Sequence, residues 1–422
     1  MADFRVLPLA TDELVCIFET HTGFLRKIVH GDTEIVRAIY AAVRDENWNT
    51  VEPGIEIRNV RVEQNKFRVD FDALCQAAGV DLRLSSDPWV NEYRLAVEEA
   101  IAIGARLEAA LFVSDNALQE LGQFRNMMDP AIVHSCLIFH EKGSSTSERW
   151  LLMAQELLHG VQIVAGTNAY FAELNRNRPP KGFPAAYSIN PQVHAFDDRS
   201  LMENLEAQPA TVESARQFCE HGVVLSPITL RPRFNPNATT KTIEPEGQLP
   251  GTVDRRQRTM VGACWMAGSL AALLPCEAVV SLTYFETTGW RGLVETELGS
   301  PLSTKFDSSP DEVFPLYYVL EFVAGASSVL RLGNALLDCV SVLGLRNRDA
   351  STRYLLANLE AVPKRIRCGA AAKAIELCIL SETNLDTLGK GTLPEAEHLS
   401  ISGEALDFDF PGMSLALIWL KP

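Results

Sequence analysis

Apolar and polar residues alternate with a period of two at the start of the chain, give way to a mixed rhythm, and return to two near the end. "LVCIFET" and "FLRKIVHG" flank a His-Thr-Gly turn and "GIEIRNVRVEQNKFRVDF" alternates, so residues 1–71 predict an N-terminal β domain of hairpins. Between them, "IVRAIYAAVRDENWNT" fits a short helix or an irregular strand. Over residues 72–330, short apolar runs take turns with helical segments. "VDLRLSSD" precedes "WVNEYRLAVEEAIAIG", "ARLEAALFVSD" precedes "NALQELGQFRNMM", and "AIVHSCLIFHE" precedes "SERWLLMAQELL". The order continues through "VQIVAGTNAYFAELN", "YSINPQVHAFDD", "VVLSPITLRPRFN" and "AVVSLTYFETTGWRG". Such alternation predicts parallel βα units. From 331 to 422, "LLDCVSVLGLRN", "TRYLLANLEAV", "AAKAIELCILSE", "LSISGEALDFDF" and "MSLALIWL" predict a C-terminal β-sandwich domain.

The expected fold class is therefore α/β: a (β/α)8 TIM-type barrel flanked by N-terminal and C-terminal β domains. Only seven barrel strands can be counted. "FDALCQAAG" reads as the end of a helix whose own strand is either absent or improvised by "FRVDF".

A parallel barrel places its chemistry at the C-terminal ends of its strands, and polar residues gather at the last four. Glu286 follows the apolar run "SLTYF", where a carboxylate either does chemistry or partners an arginine such as Arg231. Glu173 follows the strand ending "GTNAYF", and two acids across a barrel mouth can divide catalytic roles. His194 reads as a base, a donor to a substrate oxygen, or a histidine bonded in the barrel wall. Asn168, Asn175, Arg231, Arg233 and Arg291 are candidate substrate-binding donors, the paired arginines of "RPR" suiting a carboxylate or an oxyanion. Tyr284 and Trp290 suit a polyol face or a plain core. Cys136, mid-strand in "HSCLIFH", is a poor nucleophile by its alternation. Neither spacing nor count in "HAFDD" specifies a metal, so no metal and no cofactor are expected.

Composition narrows the class further. The 422 residues carry a formal charge of −16, which repels nucleic acid and anionic membranes as partners. No apolar run reaches the roughly 20 residues of a membrane span, and "MADFRVLPLATDE" lacks signal-peptide order. Nine cysteines without CxxC pairs read as reduced thiols, so a cytoplasmic location is expected. GxGxxG, GxxxxGK[ST] and GxSxG are all missing, which removes the main support for Rossmann, P-loop and hydrolase-elbow readings.

The segments "EIVRAIYAAVRDENWNTVEP", "GTNAYFAELNRNRP", "SINPQVHAFDD", "SPITLRPRFNP" and "SLTYFETTGWRG" resemble the D-apionate lactonase family of apiose catabolism. The resemblance implies an N-terminal β domain, a glycoside-hydrolase-like barrel and a C-terminal β domain. Where family members carry a longer N-terminal domain and a first barrel strand, "FRVDF" here runs straight into "ALCQAAG", implying an internally shortened member. The expected function is hydrolysis of a small-molecule sugar-acid lactone, D-apionolactone to D-apionate. Glu286 would act as base or nucleophile, Glu173 as acid, and His194, Arg231 or Asn168 as oxyanion donors. The alternatives are a glycoside hydrolase using the same two acids, or an inactive carbohydrate-binding remnant.

Overall fold

A computed structural model describes the backbone of residues 6–10, 14–19, 25–30, 33–39, 43–44 and 50–51. From residue 77 onward it describes all but 103, 237–246, 331, 333–335, 370–373, 386–392, 394–395, 400–404 and 422. Contacts divide the chain into two compact units. One holds Met1–Val69, Val193–Asp197 and Asn237–Thr242; the other holds Asp70–Gln192, Asp198–Pro236 and Ile243–Pro422.

In the first unit, β1 (Val6–Ala10), β2 (Leu14–Glu19), β3 (Leu25–His30) and β4 (Thr33–Ile39) pair in order as an antiparallel meander. Two short strands, β5 (Val43–Arg44) and β6 (Thr50–Val51), pair with each other. The helix alternative for "IVRAI" is thereby set aside, as β-branched Thr33, Ile35, Val36 and Ile39 favour a pleated strand. "GIEIRNVRVEQNKFRVDF" lies outside the described residues.

The second unit contains the predicted parallel sheet. Its strands are β7 (Ala77–Arg83), β8 (Arg106–Val113), β9 (Val133–His140), β10 (Gln162–Tyr170), β11 (Ala185–Ile189), β12 (Val223–Ile228) and β13 (Val279–Tyr284). They are hydrogen-bonded in strict chain order, every pair parallel. The connecting helices are α1 (Trp89–Ala102), α2 (Ala117–Met127), α3 (Glu148–Leu157), α4 (Phe171–Arg176), α5 (Asp198–Glu203), α6 (Ala207–Arg216) and α7 (Met260–Leu273). Pleating sorts the side chains. Leu107, Ala109, Leu111 and Val113 of β8 share a core with Leu121 and Phe124 of α2, outside the sheet. Ala110 joins Leu137, Val164, Ala186 and Val224 in a separate cluster on the sheet's inner face.

The sheet curls until β13 comes against β7. An eighth strand between them would hold these edges about 9.5 Å apart, two strand spacings. Instead, a Cβ placed on Gly79 of β7 would sit only 3.0 Å from Thr283 Cγ2 of β13. A buried carboxylate completes the contact. Glu108 of β8 lies beside Gly79 in register and accepts hydrogen bonds from Ser281 Oγ (2.8 Å) and Thr283 Oγ1 (2.9 Å). Side chains thus close the seam where sequence counting found one strand too few.

The boundary expected near residue 330 falls inside this second unit. After α8 (Pro315–Val323) come β14 (Ala326–Val329), β15 (Leu336–Leu337), β16 (Val340–Asn347), β17 (Thr352–Asn358), β18 (Lys364–Gly369), β19 (Ala374–Leu380), β20 (Glu397–Leu399), β21 (Ala405–Phe410) and β22 (Ser414–Lys421). Seven form one antiparallel sheet, and β18 and β21 form a separate ribbon. In β22, Leu415 and Leu417 join the core of α7 and α8, whereas Ala416 and Ile418 pack with Phe408 and Phe410 of the ribbon. Both faces of the strand are covered, which is why "MSLALIWL" is nearly continuously apolar. Helix α7, buried from Met260 to Leu273 on almost every side, serves the barrel and this sheet at once. At Gly268 a Cβ would come 2.4 Å from Leu205 Cδ1, so any larger residue there requires the Leu205 side chain to move aside. Among the described residues no helix is long and apolar enough to cross a membrane.

Candidate active site

At the end of β13 the chain makes an abrupt turn. Phe285 adopts φ 56°, a left-handed conformation rare for a bulky residue, while its ring is buried near Trp265. Backbone strain of this kind persists only when the surrounding packing imposes it, and it recurs at functional positions. The next residue is Glu286. Its backbone N–H donates to Arg291 O (3.0 Å), folding "ETTGWR" into a loop that brings the Arg291 guanidinium to the carboxylate, Nε to Oε1 2.9 Å. Arg291 is held in turn by Thr252 Oγ1 (2.9 Å).

Arg233, just past the end of β12, lies on the other side of Glu286, its Nη2 3.4 Å from Oε1. Its Nη1 is 3.7 Å from Asp81 Oδ2 on β7, so one guanidinium sits between acids from both strands of the seam. Neither approach is a well-formed hydrogen bond: the buried Nε and Nη2 of Arg233 find no acceptor among the described residues. Burial lowers the Arg233 pKa against the pull of Glu286 and Asp81, with Arg291 also opposing its charge. Asp81 is open to the mouth (55 % exposed) yet enclosed by barrel wall, and that enclosure raises its pKa. Arg233 counters the rise, while Glu286 and Glu108 add to it. Glu286 keeps 33 % of its side chain exposed. The arrangement is an accessible carboxylate beside desolvated, unsatisfied donors.

A second cluster occupies the ends of β7 to β10. Glu141, one residue beyond β9, accepts from Ser85 Oγ (2.5 Å) and Arg83 Nη1 (2.9 Å). Its pKa is lowered, the Ser85 bond contributing most and outweighing burial, with help from Arg83 and His140. His140 stacks on Trp150, ring centres 5.1 Å apart and planes within 12°. Its Nδ1 accepts from the Lys142 backbone N–H (3.2 Å), so the neutral ring carries its proton on Nε2. That atom is 3.3 Å from Asp115 Oδ1 but is not aligned for a hydrogen bond.

The expected site residues divide accordingly. Glu286, Arg233 and Arg291 are brought together, and Asn168 lines the mouth with Arg83, His140 and Glu141. The others go elsewhere. Glu173 is 6 % exposed and paired with Arg176 of its own short helix, while Asn175 on that helix is exposed and bonds Arg178 (3.1 Å). Arg231 donates to Asp254 (3.2 Å), a buried acid also gripped by Arg256 and Gln192. Tyr284 turns outward to Ser269 of α7 (2.7 Å). Trp290 bonds Ser300 (2.9 Å) and packs into a loop core with Phe306 and Phe314. His194 lies in Val193–Asp197, which groups with the first unit. Cys136 is fully buried, and burial pushes its thiol pKa up. Asp81, Glu108, Glu141 and Asp254 were missed; the strand-end rule applied to β7 and β9 would have found the first and third.

Comparison with known proteins places this geometry. The family model for the D-apionate lactonase TIM barrel domain matches residues 76–328, and that for the D-apionate lactonase N-terminal domain matches residues 10–109. A D-apionate lactonase of Brucella anthropi is 31 % identical over 108 residues, 25 % of this chain and 18 % of that enzyme. Among solved structures, a GH51 arabinofuranosidase from Xanthomonas axonopodis pv. citri superposes with TM-score 0.54 at 13 % identity, covering 79 % of this chain and 78 % of that one. A GH30 endoxylanase from Clostridium papyrosolvens gives 0.51 at 8 %, covering 82 % and 89 %. A family 44 endoglucanase from Clostridium acetobutylium gives 0.52 at 7 %, covering 78 % and 84 %. At such identities these likenesses concern the fold alone. The barrel match spans more than half of the molecule and takes in β7 to β13, with Glu286, Arg233 and the whole mouth, so the chain belongs to the D-apionate lactonase family.

Proposed function

We propose that this protein hydrolyses the ring ester of a small sugar-acid lactone, D-apionolactone, giving D-apionate. Glu286 accepts a proton from water as the water oxygen attacks the ring carbonyl. The carbonyl electron pair moves onto oxygen, where the unsatisfied Nε–H and Nη2–H of Arg233 stabilise the oxyanion. Collapse of the tetrahedral intermediate breaks the ring C–O bond, and the leaving oxygen takes the proton back from Glu286. Glu173, buried against Arg176, is not needed as a separate acid.

The observation that carries this reading is the pairing of a partly open carboxylate with buried donors that have no hydrogen-bond acceptor among the described residues. Buried donors are costly unless a ligand completes them, and a developing oxyanion is such a ligand. The family match and the family name of the B. anthropi enzyme support the choice of lactone. Purified protein offered aldonolactones and aryl glycosides is the test. Ring opening of D-apionolactone with no release of aryl alcohol is expected; preferential cleavage of a glycoside would overturn the lactonase reading in favour of a glycosidase.

A further inference from the structure

Glu286 and Arg233 account for the ester, but nothing in that pair selects which lactone is bound. The cavity at the ends of β7 to β10 has about 60 Å³ of space, room for roughly four to six water molecules. It is too small for a whole sugar ring with its own solvent, and well sized for two or three hydroxyl-bearing carbons. It adjoins the reacting pair along the chain: Phe234 in its wall follows Arg233, and Arg83 stands two residues from Asp81 on the same face of β7.

Its chemistry is that of polyol recognition. Glu141 uses Oε1 for Ser85 and Arg83, while Oε2 takes no hydrogen bond from the described residues and is open to a hydroxyl donor. His140, nine-tenths buried with its Nε2 3.3 Å from Asp115 Oδ1, forms part of the cavity wall. Asn168 offers both a donor and an acceptor from β10. Phe112, Phe139 and Phe234 supply rings for C–H faces. Alternating donors and acceptors over aromatic walls fit vicinal hydroxyls, which both give and take hydrogen bonds. They do not fit an apolar acyl chain, which would leave every polar group unpaired.

We infer that this cavity is the specificity subsite of the enzyme and binds the hydroxylated carbons of the sugar lactone. The inference rests on the lactonase reading, and the experiment separates the two. Wild type, Glu141→Gln and Asn168→Ala, each checked for unaltered far-UV circular dichroism, are assayed on D-apionolactone and on γ-butyrolactone, the same ring ester without hydroxyls. The ratio of kcat/KM for the hydroxylated over the bare lactone falls tenfold or more in both variants, mainly through KM. A ratio within twofold of wild type in both overturns the subsite. If wild type opens neither lactone, the hydrolase reading fails, and calorimetric titration with D-apionate decides the subsite alone. Binding weakened tenfold by Glu141→Gln supports it, and absent or undiminished binding overturns it.

Discussion

Glu108→Ala removes the carboxylate that joins β8 to β13 across the barrel seam. Glu108 is 3 % exposed and accepts from Ser281 and Thr283 at 2.8 and 2.9 Å, with Ser135 Oγ more distant at 3.5 Å. Hydrogen bonds to a charged group contribute about 1.5–3 kcal/mol each, so the two short bonds sum to roughly 3–6 kcal/mol. Alanine also relieves the desolvation cost of the buried carboxylate, which offsets part of that sum and leaves a net loss of about 2–4 kcal/mol. The loss is local, because among the described strands β13 is hydrogen-bonded in the sheet to β12 alone. Hydrogen exchange by mass spectrometry reads it directly, with the peptide over Val279–Tyr284 compared with Val223–Ile228 of β12. At about 1.4 kcal/mol per factor of ten, protection of β13 falls about 30- to 700-fold. Glu108→Gln keeps the shape and one acceptor while losing the charge, and costs about 1–2 kcal/mol. Protection of β13 within threefold of wild type in Glu108→Ala would refute the seam account.

Three other outcomes follow from the geometry. Arg233→Ala removes the unsatisfied donors and lowers kcat on D-apionolactone by about 10²–10³, whereas Arg231→Ala, which takes one donor away from buried Asp254, acts on stability instead; rates and urea midpoints separate them. Burial alone would raise Asp254, but bonds and charge from Arg256 and the Gln192 amide hold it well below the usual carboxylate range. A depressed folded pKa contributes stability that is present above the unfolded value near 3.8 and is lost as pH falls through the folded value. The urea midpoint of wild type therefore exceeds that of Asp254→Asn at pH 7, and the gap narrows below pH 4. Gly166→Ala would force a Cβ to 2.1 Å from Ala186 O at φ 127°, and thermal denaturation shows a clear loss, about 1–3 kcal/mol or more.

Much of this architecture was legible because periodicity reports burial directly. The continuously apolar β22 and α7 announced their surroundings, and a count of seven barrel strands could be made. How the barrel closes without an eighth was not legible, since closure depends on Glu108 reaching past a glycine to residues 173 and 175 positions away. The strand-end rule points to Glu286 and Arg233, which both follow a strand by only a few residues and lie 3.4 Å apart. It failed for Tyr284, where pleating sent the ring to the helix side, and for Glu173, where β10 passes into α4 and the residue belongs to the helix. Arg231 and Arg233 look equivalent in "RPR", yet one meets Asp254 and the other Glu286. Asp254 sits in a loop with no pattern to mark it.

The account stands most directly on Glu286. Turnover of D-apionolactone by Glu286→Gln, measured beside wild type at matched circular dichroism and melting temperature, is predicted to drop by about 10²–10⁴, the usual contribution of a positioned base. A variant that folds normally and hydrolyses the lactone within a few-fold of the wild-type rate would contradict it.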